Sequence, residues 1–210
     1  MSATYSPRCF DVRNIAEAKA IILTPDTSTT DERWERETPY LADLIGEHLA
    51  LKPHHRVLDY GCGIGRMSKA LIERFGCSVV GVDQSVSMRA LACAYVDSDK
   101  FVACAPTGSL LFSCIGGAHH AIAVWSLQHI PAIDTAINDL YRKVMWGGRI
   151  LVVNAYHRFL PVEGGRWTDD GEDVRERLAA RFKEVAYGPL DPAHTSPDTA
   201  RHAYLGVYEN

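Results

Sequence analysis

The stretch from Arg56 to Leu71 reads RVLDYGCGIGRMSKAL. A short apolar run leads into three glycines at alternate positions, Gly61, Gly63 and Gly65, and then into a helical pattern. Met67, Ala70, Leu71 and Phe75 recur along one helix face, and Gly76 stands where a left-handed residue can close that helix. A strand, a glycine turn and a helix in succession form the binding corner of a doubly wound sheet, whose crevice lies beyond the strand's carboxyl end. Glycine there admits positive φ and close approach of a ligand, while the N–H groups that open the helix face the crevice. In the dinucleotide pattern G-x-G-x-x-G the third glycine would fall on Arg66; here it falls one residue earlier, which disfavours a pyrophosphate. Asp59 adds a carboxylate to the same corner, a poor neighbour for phosphate and a good one for positive charge.

Outward from this corner two periodicities take turns. SVVGVD (78–83), KFVAC (100–104), AIAVWS (121–126) and RILVVN (149–154) are short apolar runs bounded by glycine or polar residues, as buried strands are. Ile133, Ile137, Leu140, Tyr141 and Val144 mark a helix before Gly147 and Gly148. The tail differs: DVRERLAARF (173–182) reads as a helix, and KEVAYGPL (183–190) and HAYLGVYEN (202–210) as strands with no helix between them. The expected fold is therefore α/β, a Rossmann-like doubly wound sheet of seven strands, mostly parallel, ending in an antiparallel hairpin. Ahead of it, residues 27–51 offer Thr29 and Glu32 as a capping box, then Thr38 and Pro39 as the N-cap and first turn of a second helix. Residues 1–50 are read as a helical N-terminal cap within the same domain, and 51–210 as the sheet domain.

Composition narrows the setting. With 210 residues, 47% of them hydrophobic, the chain can bury one full core. Lys and Arg total 22 against 26 Asp and Glu, without blocks of one sign, so a nucleic-acid partner is disfavoured. Cys9, Cys62, Cys77, Cys93, Cys104 and Cys114 form no C-x-x-C pair and fit a reduced interior. The N-terminus lacks a basic region followed by an apolar core, and no segment reaches membrane-spanning length. The expectation is a cytoplasmic protein with no membrane partner. Its nine histidines show no metal-ligand spacing, so no metal is expected.

The second strand runs into Asp83, at about the ~20-residue spacing from the glycines at which a carboxylate reaches a ribose hydroxyl pair. VLDYGCGIGRMSKAL, VVGVDQSVSM, AVWSLQHIP and VMWGGRILVVN, in this order and spacing, resemble the class I S-adenosylmethionine-dependent methyltransferases from about Arg56 to Asn154. The resemblance implies S-adenosyl-L-methionine as cofactor. Asp59, Gly61, Cys62, Gly63 and Gly65 would line its methionine half, Asp83 would hold the ribose, and Gln84 and Met88 would flank sugar and adenine. Ser126 and Leu127 would face the sulfonium side. Where relatives carry an acidic residue after the third strand this chain has Ala105 and Pro106, so backbone near Ala105 is expected to meet the adenine.

Methyl transfer from a sulfonium is an in-line displacement that needs chiefly positioning, and a base only when the acceptor must lose a proton. Candidates for that role are His129, just beyond the fourth strand, and Tyr156 and His157, beyond the fifth. The loop from Tyr156 to Gly171, with the Trp34 helix, is a candidate lid, and Trp34 and Tyr40 could roof the pocket. The chain lacks the Asn/Asp-Pro-Pro-Tyr/Phe and Pro-Cys signatures of adenine, glutamine and cytosine methylation in relatives, which leaves O, N, S or C of a small molecule as acceptor. Two other readings stay open: a noncatalytic module that binds S-adenosylmethionine and acts through a partner, and a nicotinamide-dependent oxidoreductase.

Overall fold

A computed structural model describes residues 4–108 and 116–210 of the chain; Cys114 lies outside them. The helices are α1 (Ile15–Ile22), α2 (Thr30–Leu49), α3 (Arg66–Phe75), α4 (Val86–Val96), α5 (Ile133–Lys143), α6 (Val174–Ala179) and α7 (Pro197–His202). The strands are β1 (Arg56–Tyr60), β2 (Ser78–Val82), β3 (Phe101–Cys104), β4 (Ala118–Val124), β5 (Val144–Ala155), β6 (Leu160–Val162), β7 (Arg166–Thr168), β8 (Lys183–Pro189) and β9 (Ala203–Glu209).

Seven strands form one sheet in the order β3-β2-β1-β4-β5-β9-β8. The first five are parallel, and β9 runs antiparallel to both β5 and β8. Alternation along each strand feeds two cores. In β5, Ile150 and Val152 join Ile137 and Leu140 of α5 and Leu178 of α6 on one face. Leu151 and Val153 join Leu41, Ile45 and Leu49 of α2 and Leu71 of α3 on the other. Burial on both faces is why these strands read as unbroken apolar runs. Helix α2 is thus a layer of the core rather than an appendage.

Three local expectations are corrected. Helix α2 is continuous through Pro39, with no second N-cap at Thr38. The capping box of Thr29 and Glu32 opens it, Thr38 turns its hydroxyl back to the Trp34 carbonyl, and the acceptor that Pro39 leaves unpaired belongs to exposed Glu35. Between β8 and β9 stands the short helix α7, capped by Ser196; none of its residues is buried, so it has no apolar stripe to betray it. The Gly-rich loop after β5 contains the hairpin β6–β7, which turns at Gly164 and Gly165 with φ of +82° and +70°.

At the end of the sheet away from the glycine turn, His55 packs against His54, His119 and His120 with ring centroids 4.7 to 4.9 Å apart. Nδ1 of His119 and of His120 accept the backbone N–H of Arg56 and Arg149, at 3.0 and 3.2 Å. Burial pushes His120 down to about 4 and lowers His55 and His119 as well, so these three are neutral at physiological pH and their role is structural. Among the described residues, no group of three or more His, Cys, Asp or Glu is arranged to hold a metal ion, and no helix is long and apolar enough to cross a membrane.

Candidate active site

The carboxyl ends of β1, β2 and β4 open into a cleft of about 610 Å³. Its floor is the glycine turn. Gly61 has φ of +80°, and a Cβ there would stand 2.3 Å from Cβ of Ser126. Gly63 has φ of +54°, and a Cβ there would stand 2.8 Å from Ile22. Glycine is required twice over at each, by conformation and by space. Gly65, also left-handed, is the N-cap of α3.

Carboxylates fasten this turn. Asp83 accepts the Gly63 N–H at 2.9 Å on one oxygen and the Ser85 N–H at 2.8 Å on the other. Ser85 in turn caps α4 by accepting the Met88 N–H at 3.2 Å. Burial raises the Asp83 carboxyl, and its bonds from the Ser85 and Gly63 N–H groups pull the other way. Asp59 lies deeper, 3% exposed, and accepts the Ser68 hydroxyl at 2.7 Å. Burial pushes its carboxyl up to about 6, against the Ser68 hydrogen bond, and the negative Asp83 nearby raises it further. Two largely desolvated carboxylates, Asp59 and Asp83, make this part of the cleft suited to a ligand with a cationic centre.

The other end of the cleft holds cations that the sequence reading missed. Arg66, 3% exposed, donates from Nε to Thr38 Oγ1 at 2.8 Å, while both Nη atoms are buried with no hydrogen-bond partner among the described residues. Burial lowers it to about 10, so it stays charged at neutral pH. Arg33, by contrast, is saturated: Glu37 at 2.7 Å, the Thr24 carbonyl at 2.7 Å and Thr199 at 3.1 Å. Trp125 also lines the cleft, in the left-handed region at φ +56°, and its buried Nε1 has no partner. Orphaned donors on Arg66 and Trp125 are what an anionic group such as a carboxylate would satisfy.

Above the floor runs a strap. Ser6 donates to the Pro161 carbonyl at 2.8 Å and Glu163 to the Thr4 carbonyl at 3.0 Å, which lays residues 4–6 along β6. The strap then crosses to α4, where the Phe10 carbonyl accepts Ser85 Oγ at 2.9 Å and the Val12 N–H donates to Ser87 Oγ at 3.0 Å. On the way Tyr5 accepts Nε2 of Gln84 at 2.9 Å. Phe10, Trp167 of β7 and His129 meet ring to ring, with centroids 5.3 to 6.1 Å apart.

His129 ends a single 3₁₀ turn, Leu127–His129, that follows Ser126. Its Nδ1 lies 2.6 Å from the Phe159 carbonyl, which can only accept, so Nδ1 carries the proton. Gln128 Oε1 accepts the Ala155 N–H at 2.7 Å, which turns its amide Nε2 toward His129 Nε2 at 3.2 Å. Burial lowers the His129 pKa, with Arg158 adding to the effect against the Phe159 bond, so the imidazole is neutral with Nε2 as an acceptor.

The structure thus brings Asp59, Gly61, Cys62, Gly63, Asp83, Gln84, Met88, Ser126 and His129 together on one cleft. Other expected residues lie elsewhere. Leu127 is fully buried in the α5 core, because the left-handed turn at Trp125 breaks the strand's alternation and brings Trp125 and Ser126 to the cleft instead. Pro106, not Ala105, lines the cleft, and the Ala105 carbonyl is taken by the Gly108 N–H at 2.9 Å. Tyr156 packs on Tyr204, and His157 pairs with Asp169 at 3.2 Å on the surface; neither reaches the cleft. Trp34 is core, donating to the Tyr95 hydroxyl at 3.1 Å, and Tyr40 stacks on His194, so neither roofs the pocket. The roof comes from the end of α1, Ile21 to Asp26, and from the strap.

A family model described as "Methyltransferase domain" matches residues 57–148, from the second residue of β1 into β5. Over this segment the chain is similar to the class I S-adenosylmethionine-dependent methyltransferases. Geranyl diphosphate 2-C-methyltransferase of Saccharopolyspora erythraea is 41% identical over 76 residues, 34% of this chain and 27% of that protein. Chloroplastic tocopherol O-methyltransferase of Arabidopsis thaliana is 31% identical over 141 residues, 65% of this chain and 40% of that protein. The chain therefore spans well under half the length of these curated relatives. A crystal structure of a Pyrococcus horikoshii protein has the same fold, with a TM-score of 0.64 at 19% identity, covering 88% of this chain and 93% of that one.

Proposed function

We propose that this chain transfers a methyl group from S-adenosyl-L-methionine to an O, N, S or C atom of a small-molecule acceptor. The observation that carries the reading is the Asp59–Gly65 turn, locked to Asp83 in the switch-point crevice of the sheet, with orphaned donors of Arg66 and Trp125 at one end. Relatives named for small-molecule acceptors support the substrate class. When bound, the cofactor supplies an electrophilic methyl whose bond to sulfur breaks as the bond to the acceptor forms, sulfur keeping the electron pair.

The chain's own part is positioning and charge. Asp83 holds the ribose hydroxyls while keeping the Gly63 turn in place, Arg66 meets the carboxylate of the methionine half, and Asp59 faces its positive charge. Cys62, Met88 and Ser126 shape the walls, and Gln84 closes the sugar side through Tyr5. His129 is the acceptor-side base: with Nδ1–H committed to Phe159, Nε2 can take a proton from an acceptor O–H or N–H that displaces the Gln128 amide. Residues 1–50 act as a cap continuous with the domain of 51–210. The unpaired Cys9, Cys62, Cys77, Cys93 and Cys104 suit a reduced, cytoplasmic setting.

Calorimetry tests this directly. S-adenosylhomocysteine and S-adenosylmethionine are expected to bind in the presence of a chelator, and NAD is expected to give no heat. Binding of NAD alone, or an absolute need for a divalent metal, would overturn it. Limited proteolysis should cut between Tyr156 and Gly171 more slowly once S-adenosylhomocysteine is bound.

A further inference from the structure

The acceptor side of the cleft has a chemical character of its own. It is lined by Gln128, His129 and Ile130 from the turn after β4, by Phe159, by Trp167 of β7, and by Phe10 of the strap. None of these side chains carries a formal charge at neutral pH. The charged lining residues are on other elements: Arg33 is paired with Glu37 and Asp26, Asp198 with His202 at 3.5 Å, Asp59 and Asp83 lie in the floor, and Arg66, with its free donors, belongs to the methionine end of the cleft. Arg158 is 1% exposed and does not line the cleft; its Nη2 is engaged by Asp170 at 3.1 Å and the Ile130 carbonyl at 2.7 Å, and its Nε and Nη1 are buried away from the cleft without a hydrogen-bond partner among the described residues.

The rings on this side are unusually open. Phe159 is 42% and Trp167 43% exposed, although they border an apolar cleft. Trp167, held edge-on by Phe10, and the uncovered ring of Phe159 are a surface for another flat group. A phosphate or ammonium placed there would lose its water and find no counter-charge. A single uncharged polar pair, Gln128 and His129, offers one donor and one acceptor to orient a ligand.

Resting on the methyl-transfer reading, we propose that the acceptor is an uncharged molecule built on a flat ring, seated against Phe10, Phe159 and Trp167 with its hydrogen-bonding edge at the Gln128–His129 pair. The ring supplies apolar area to the aromatic faces, and the polar pair turns the nucleophilic atom toward Ser126 and the floor.

The test is calorimetry on the whole chain saturated with S-adenosylhomocysteine, titrated with 2-naphthol, indole and quinolin-4-ol as uncharged flat rings and with phosphoethanolamine as a small charged amine. At least one ring probe is expected to bind and phosphoethanolamine to give no heat. Trp167→Ala and Phe159→Ala should each weaken the ring probe by about tenfold and leave the affinity for S-adenosylhomocysteine within about twofold, which also shows that the variants are folded. If phosphoethanolamine binds and the rings do not, or if both variants bind the rings as the parent does, the ring inference falls while methyl transfer stands. If a variant loses S-adenosylhomocysteine instead, its aromatic serves the cofactor and the inference is again wrong. Failure of the parent chain to bind S-adenosylhomocysteine would remove the methyl-transfer reading, and this inference with it.

Discussion

The floor of the cleft is one unbroken run of chain, from Asp59 to Met88, whereas its cover is gathered from the strap at Phe10, the end of α1, the turn at His129, the β6–β7 hairpin and α7. In the floor, conformation itself is the constraint: left-handed glycines, a capped helix and backbone N–H groups pinned by Asp83. In the cover, nothing local is special; rings and carbonyls meet only because distant segments pack. A floor of this kind tolerates almost no change and suits a ligand shared by a whole family. A cover of this kind can change ring by ring, which suits a ligand peculiar to one protein.

The sharpest way to break this contrast is Gly61→Ala. A left-handed alanine with its Cβ 2.3 Å from Ser126 should cost about 2–5 kcal/mol through strain and overpacking, lowering the melting temperature by several degrees and abolishing detectable cofactor binding. A variant that melts and binds like the parent would show the floor to be as adaptable as the cover.

Asp83→Ala comes next. It removes the ribose acceptor and strands the N–H groups of Gly63 and Ser85, so S-adenosylhomocysteine affinity should fall by at least about tenfold and stability by about 1–3 kcal/mol. Asp83→Asn keeps one accepting oxygen but turns its NH₂ toward one of those N–H donors, and should fall between the two. Calorimetry and ligand-free melting separate the binding loss from the folding loss.

A smaller effect follows from Asp59. Its carboxyl, raised to about 6 in the free protein, holds a proton below that pH, and a cationic ligand favours the carboxylate. Affinity for S-adenosylmethionine should therefore strengthen as pH rises through about 6 and level off above it, with proton release on binding near pH 6. Calorimetry in buffers of different ionisation enthalpy reads that proton; uptake instead of release would contradict the assignment.

The smallest effect is expected in the cover. Tyr5→Phe removes one hydrogen bond from exposed Gln84 and should weaken cofactor binding by no more than about fivefold, mainly through faster dissociation in stopped-flow measurements.

The same contrast explains what could be read before any coordinates. The five parallel strands, α3, α5, the capping box and the floor residues Asp59, Gly61, Gly63 and Asp83 announce themselves through periodicity, caps and glycine spacing, all local properties. Arg66 was in plain view yet silent, because a buried guanidinium looks in sequence like any surface arginine. Trp125 and Leu127 exchanged places through one left-handed residue that no local rule demands of tryptophan. Tyr156 and His157 sit at the right strand end but turn outward, since β5 ends by pairing with β9 and sending its next residues toward Tyr204 and Asp169. The strap pairs Tyr5 with Val162, a contact across most of the chain that only the finished fold reveals.

The sheet order has a bearing on how the fold is closed. Strand β9 follows β8 in the chain, yet it lies between β5 and β8 and supplies β8 with its sheet partner. Without it, β5 keeps a bare edge along Ile150 to Val153, and β8, with Val185 and Tyr187 partly exposed, has no strand to join. One seven-residue strand thus closes two sheet edges at once, and a chain in which it is displaced exposes both of them to pairing with another chain.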